Sequence, residues 1–141
     1  MRKLKILVSS SGKKIPLIKE MKDACYRLDE NAKIICGDCS STAISAYLAD
    51  EFWLMPMTFE ENIDNIIKGC VEREITAVLP TRDDELLFWA RNVDRFSEIG
   101  INVIVSHPKV IEICIDKLEF STFGIDLGLP FIPSYLSLYN S

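Results

Sequence analysis

Two short stretches hold the side chains whose types and spacing could do chemistry. The first, Ser9-Ser10-Ser11-Gly12-Lys13-Lys14, puts three hydroxyls, a permissive glycine and two ammonium groups just ahead of a helical pattern. Hydroxyls and backbone N–H groups at a helix start suit a carboxylate or a phosphate, and Lys13 or Lys14 would add charge. The run is neither GxGxxG nor GxxxxGK(S/T), so it supports neither a dinucleotide fingerprint nor a P-loop. Its alternative reading is a capped turn, with Ser11 satisfying the helix start and the lysines solvated. The second stretch, Pro80-Thr81-Arg82-Asp83-Asp84-Glu85, gathers three acids beside an arginine in a helix's first turn. Acids there complement the helix macrodipole by about 0.3–1 kcal/mol each. Three acids beside Arg82 exceed what capping requires, which points to a substrate-facing role for Arg82 or Glu85.

Other reactive types carry weaker signals. Asp38 follows a strand, where an acid can bond a ribose hydroxyl, but without the glycine fingerprint an Asx turn before Ser40 and Ser41 is the better reading. His107, the one histidine, precedes Pro108 and reads as a loop residue rather than a general base. Cys36-Gly37-Asp38-Cys39 is formally a CxxC, yet zinc would need a second ligand pair and a redox motif would sit at a helix start. A buried thiol next to a loop thiol fits better. Cys25, Cys70 and Cys114 fall on apolar helix faces as small hydrophobes.

The elements that must position these groups alternate along the chain. Residues 4–9 are an almost continuous apolar run, as in a strand covered on both faces. Leu17, Ile18, Met21, Ala24, Cys25 and Leu28 then fall at helical spacing, with Pro16 tolerated in the first turn. Strands are expected at 32–36, 52–55, 75–79 and 101–106. Between them lie a short helix at 41–49, a helix opened by a Thr58–Glu61 capping box, and one capped by Thr81 that carries Leu86, Trp89, Ala90, Val93 and Phe96 to Gly100. Beyond the sheet come a helix at 109–115, a further amphipathic segment opened by Asp116-Lys117, and a short apolar strand at 131–135. Five strands with intervening helices predict a Rossmann-like three-layer α/β/α fold with a mainly parallel sheet, in the order 3-2-1-4-5. Ligands of such sheets bind where the strand order reverses, here between strands one and four, and both chemical stretches border that crevice.

The 141 residues suffice for one core, and 48% apolar residues make a globular composition. A formal charge of −5 argues against a nucleic-acid surface. No apolar run approaches the roughly 20 residues that cross a bilayer, and Ile6-Leu7-Val8 is too short for a signal peptide's apolar core, so a cytoplasmic protein is expected.

KILVSSSGKKIPLIKEMKDA, IICGDCSSTAISAYLADEFWLMP, ITAVLPTRDDEL, VSHPKVIEICIDKLEFSTF and GLPFIPSY, in that order, resemble the N-terminal, pre-ATP-grasp part of an ATP-grasp ligase of the carbamoyl-phosphate synthase large-subunit-like group. The resemblance implies a domain at residues 1–112 and the incomplete start of an ATP-grasp domain at 113–141. It implies ligation of a small carboxylate to an amine, using ATP and Mg²⁺ in the complete enzyme, with neither bound tightly by this chain. Ser10, Ser11, Gly12, Lys13, Arg82 and Glu85 would then face the substrate, and Lys117 would reach ATP phosphates. Without the resemblance, Lys117 is an exposed lysine behind an Asp116 cap. Cys36 and Cys39, flanking the family's usual GxD element, are departures. The partner would be the rest of the ATP-grasp machinery, in cis or in trans, with a homodimer possible through Phe131, Ile132, Leu136 and Leu138. The competing readings are a stand-alone nucleotide-binding or regulatory module and a subunit that docks a separate ATP-grasp chain.

Overall fold

Alternating apolar runs in the strands generate two cores, one on each face of a single sheet. The computed structural model of the protein describes residues 3–135. These divide into two compact units, the first ending at Val105 and the second beginning at Ser106. In the first unit, β1 (Lys5–Ser9), β2 (Lys33–Asp38), β3 (Glu51–Leu54), β4 (Ala77–Pro80) and β5 (Asn102–Val103) pair in parallel in the order β3-β2-β1-β4-β5. That is the order expected from the sequence. Ile6 and Val8 of β1, with Ile34 and Cys36 of β2, face α1 (Ile15–Leu28) through Ile18 and Cys25. Leu7, Ile35 and Val78 face the opposite way, onto α2 (Ile63–Glu72), α3 (Asp83–Arg91) and α4 (Val93–Glu98). Period-two alternation in strands buried on both sides is what makes them read as continuous apolar runs.

Strand register brings the carboxyl ends of the central strands level. Ser9 lies opposite Gly37 of β2 and opposite Pro80 of β4, so three adjacent strands end at one height and release their loops together.

Several elements differ from the sequence expectation, each for a local reason. Residue 36 does not end β2, which runs on to Asp38. In place of a helix at 41–49 there is a short 3₁₀ turn, Ile44–Tyr47. The Thr58 capping box does not form: a 3₁₀ turn at Glu60–Asn62 leads into α2, and neither carries a side-chain cap. The single helix expected after Thr81 breaks at Asn92, whose side-chain amide donates to the Phe88 carbonyl at 2.9 Å and competes with the backbone ladder. Gly100, at φ 75°, ends α4's turn as expected.

The second unit holds α5 (Pro108–Ile115) and α6 (Lys117–Asp126). Asp116 caps α6, with Oδ1 accepting from the N–H groups of Leu118 and Glu119 at 2.8 and 3.0 Å. Residues 131–135 are not a strand. The Ser121 hydroxyl donates to the Ile132 carbonyl and accepts from the Ser134 N–H, and Phe131 packs edge-on against Phe120. Ile132 and Tyr135 are exposed, while Leu136 and Leu138 lie outside the described residues. Among the described residues no helix is long and apolar enough to cross a membrane.

Two interactions brace the first unit at its rim. Gly69 of α2 lets the Trp53 ring lie against the helix backbone, and the Arg73 guanidinium covers that ring 4.6 Å from its centroid, with Nε 3.2 Å from the Glu51 carboxylate. Asp50 gathers the Ile34 N–H (2.8 Å), the Tyr26 hydroxyl (2.6 Å) and the Lys22 ammonium (2.6 Å). Burial alone would push the Asp50 carboxyl up; those three partners outweigh it and hold it below the ordinary range.

Gly69→Ala should therefore destabilise the protein. Helix propensity would favour the alanine by about 1 kcal/mol, but its Cβ would overlap the Trp53 ring, and overpacking costs about 1–3 kcal/mol. Urea unfolding should show a lower midpoint at unchanged slope. Asp50's depressed pKa adds stability that is present above the unfolded-state value of about 3.9 and lost as pH falls through the folded value. Thermal melts from pH 6 down to about pH 2 should thus fall less steeply for Asp50→Asn than for the wild type.

Candidate functional site

The three loops released together at the carboxyl ends of β1, β2 and β4 are tied to one another by two carboxylates. Past Ser9 the chain turns through Ser10, whose φ of 52° is left-handed, a conformation costing a serine about 1 kcal/mol or more. What holds it is Glu85, the third residue of α3, which is fully buried. Its Oε2 accepts from the Ser9 and Ser10 hydroxyls at 2.6 and 2.9 Å and from the Trp89 indole at 3.2 Å. Its Oε1 accepts from the backbone N–H groups of Thr81 and Arg82 at 2.9 and 3.3 Å. The Thr81 hydroxyl, instead of capping the helix, donates back to the Ser9 carbonyl at 2.7 Å. Arg82 occupies the cap position, and Glu85 reaches back to satisfy its N–H.

Asp38 is the second tie. Its Oδ2 accepts from the Gly12 N–H at 2.8 Å and its Oδ1 from the Ser40 N–H at 2.9 Å. The Asx turn expected at Asp38 is present, and the same carboxylate also grips the β1 loop. A Cβ on residue 12 would sit 2.8 Å from Asp38 Oδ2, so a larger residue there would push the Asp38 carboxylate aside. Ser11 is buried and points its hydroxyl to the Gly37 carbonyl (3.2 Å) and Ser45 (3.1 Å); it does not cap α1, whose N-cap is Lys14.

Above these ties lies an open depression of about 580 Å³, lined by Ser10, Gly12, Lys13, Lys14, Asp38, Ser40 and Arg82, with Ala43 and Ile44 supplying an apolar side. Lys13 and Lys14 are exposed, and Arg82 is half-exposed and ion-paired to Asp84. Three cations, hydroxyls and the start of a fourteen-residue helix suit an anionic group, with apolar surface for a short body beside it.

Of the residues singled out from sequence, Ser10, Gly12, Lys13 and Arg82 thus come together at the depression. Ser11 and Glu85 lie beneath it, buried. Lys117 is the first residue of α6 in the second unit, exposed behind the Asp116 cap. His107 caps α5, its Nδ1 accepting from the Lys109 N–H at 3.3 Å. Sequence reasoning missed the third loop, residues 38–44, and the tying roles of Ser9, Asp38 and Thr81. The available signal was positional: an acid at the end of a central strand, facing a glycine at the end of its neighbour.

The family model described as "PylC-like, N-terminal domain" matches residues 6–104. Similar folds occur in glycinamide-RNase-transformylase T from Mycobacterium tuberculosis, at 14% identity and a TM-score of 0.64 over 92% of this chain and 37% of that one. The biotin carboxylase domain of Hydrogenobacter thermophilus 2-oxoglutarate carboxylase, in complex with MgADP, ADP and bicarbonate, aligns at 22% identity and a TM-score of 0.60, over 94% of this chain and 29% of its own. N5-carboxyaminoimidazole synthetase from Staphylococcus aureus, complexed with ADP, aligns at 16% and 0.59, over 89% and 31%. At these identities the likeness establishes the fold, and the chain spans about a third of the length of each of these proteins. No curated protein sequence matches the chain.

The CxxC cysteines take no part in the ties. Cys36 points into the α1 core and burial pushes its thiol up to about 11; burial pushes Cys70 up to about 12 and raises Cys25 as well. Cys39 and Cys114 are exposed, and all five are free thiols. An aromatic disulfide reagent at pH 8 should accordingly label Cys39 and Cys114 rapidly and the other three only on unfolding. Rapid reaction of Cys36, whose thiolate fraction at that pH is about one in a thousand, would contradict this placement.

Proposed function

The chain belongs to the PylC-like N-terminal domain family, and from that premise we propose that it is the substrate-side domain of a carboxylate–amine ligase, its depression receiving the anionic group of a small carboxylate. The ATP-grasp resemblance is borne out at the level of family and fold. The single observation that carries the finer reading is the cluster of Lys13, Lys14 and Arg82 with Ser10 and Ser40 around one depression at the carboxyl edge of the sheet. Oriented hydroxyls and cations there would hold a carboxylate still while its acyl phosphate is formed and attacked, a positioning role that needs no catalytic base on this domain.

ATP and Mg²⁺ belong, in this reading, to a nucleotide-binding part of carbamoyl-phosphate synthase-like type, supplied in cis or in trans in the cytoplasm. Among the described residues no three His, Cys, Asp or Glu side chains gather to hold a metal, so no step is assigned to Mg²⁺ here. Residues 1–112 are the substrate-side domain, and 113–141 open the nucleotide side, with Lys117 directed at ATP phosphates. Ser10, Gly12, Lys13 and Arg82 contact the substrate; Ser11 and Glu85 support them from beneath. The alternative of a stand-alone nucleotide module is less well supported, because the one acid placed to meet a ribose, Asp38, is engaged through both oxygens in tying the β1 and β2 loops.

Calorimetric titration of the 141-residue chain with inorganic phosphate, a panel of small carboxylates and MgATP tests the reading. Anions should bind at about millimolar affinity, weakening with added salt. Lys13→Ala and Arg82→Ala should each weaken them several-fold, by about 1 kcal/mol. Tight MgATP binding by these residues alone, or anion binding indifferent to both substitutions, would sink it.

A further inference from the structure

We propose that Glu85 is a positioning residue for this depression: it holds Ser10 and Arg82 where they meet an anion, without itself touching that anion. The proposal rests on the reading of the depression as an anion site. Glu85 is fully buried, yet both its oxygens are aimed at the loops that line the depression. It bonds Ser10 through the hydroxyl and Arg82 through the backbone N–H, and both residues line the depression above it.

The carboxylate has two sides. On the loop side it accepts from Ser9, Ser10, Thr81 and Arg82; on the core side, among the described residues, it accepts from the Trp89 indole. Five donors on two oxygens exceed the roughly four lone-pair sites of a carboxylate, which leaves none to spare. No neutral side chain of this length can replace it, because an amide would turn an NH₂ group toward two or three donors. The buried carboxylate is met by hydroxyl, indole and amide dipoles, not by a cation. Lys13 therefore stays exposed at the depression, and the Arg82 guanidinium pairs with Asp84 instead of with Glu85. Glu85 also explains why a serine and not a glycine occupies the left-handed position 10. The hydroxyl anchors the turn that glycine would merely permit.

The test compares Glu85→Gln with Trp89→Phe in the full chain, using inorganic phosphate as probe. Trp89→Phe removes the core-side bond and core volume but leaves the loop-side bonds, so it controls for lost stability. In Glu85→Gln the Ser10 ¹³Cα shift should leave its left-handed value, Thr81 amide exchange should quicken about tenfold or more, and phosphate affinity should fall about fivefold. Trp89→Phe should melt earlier while keeping the Ser10 shift and the phosphate affinity. Should Glu85→Gln fail to fold, Glu85→Asp, one methylene shorter with its charge kept, takes its place with the same expected changes. Equal loss of affinity in Trp89→Phe, or unchanged Ser10 and Thr81 signals in the Glu85 variant, would overturn the proposal. If the wild-type chain binds no phosphate, the anion reading falls by itself, and the positioning role is then decided by the Ser10 and Thr81 signals.

Discussion

Everything that gives this chain a site depends on three parallel strands stopping in step. Ser9, Gly37 and Pro80 sit side by side across the sheet, so three loops leave from one edge at one height. Parallel pairing makes this possible, because every strand then points its carboxyl end the same way, and the crossover helices return the chain to the opposite edge each time. Loops that leave together must also be fastened together, since irregular backbone has few bonds of its own to offer. Two carboxylates do this: Glu85 fastens the β1 loop to the β4 loop, and Asp38 fastens the β1 loop to the β2 loop.

The division of labour between buried and exposed charge follows from desolvation. The Glu85 carboxylate can sit out of water because five donors surround it, and a buried polar group without such partners would be costly. Lys13 and Lys14 keep their heads in solvent, where each contributes little until a second charge arrives, and Arg82 is paired with Asp84 at the surface. The result is a satisfied base beneath a solvated rim, with Ala43 and Ile44 forming an apolar side of the depression.

Most of the architecture was legible from the sequence. The near-continuous apolar runs of β1 and β2 announced strands covered on both faces, and their alternation with helical spacing announced the parallel order. Asp116 was readable as a cap because an N-cap is a purely local device. What escaped was settled by competing turns and side-chain bonds that spacing does not show. Thr58 and Glu61 have the spacing of a capping box, yet the chain enters α2 through a 3₁₀ turn. Asn92 breaks a helix that periodicity alone would continue, because its amide reaches the Phe88 carbonyl. Residues 131–135 have strand composition, but Ser121 takes their backbone bonds. At the carboxyl edge, residue types pointed to two of the loops that line the depression. Whether Glu85 faces outward or inward depends on Ser9 and Ser10, some 75 residues earlier, and no local pattern encodes that.

The central placement of β1 has a consequence for how the protein comes into being. Among the described strands β1 is made before its neighbours, yet the partner on one of its sides begins beside Thr76, which lies 71 residues beyond Lys5. Until β4 is made, that side of β1 is an open edge, able to recruit any strand that passes. Arrival of β4 closes the edge, and within a few residues Thr81 and Glu85 lock the loop above it. Closing of β1's second edge and fastening of the loop above it are thus one event in the life of the nascent chain.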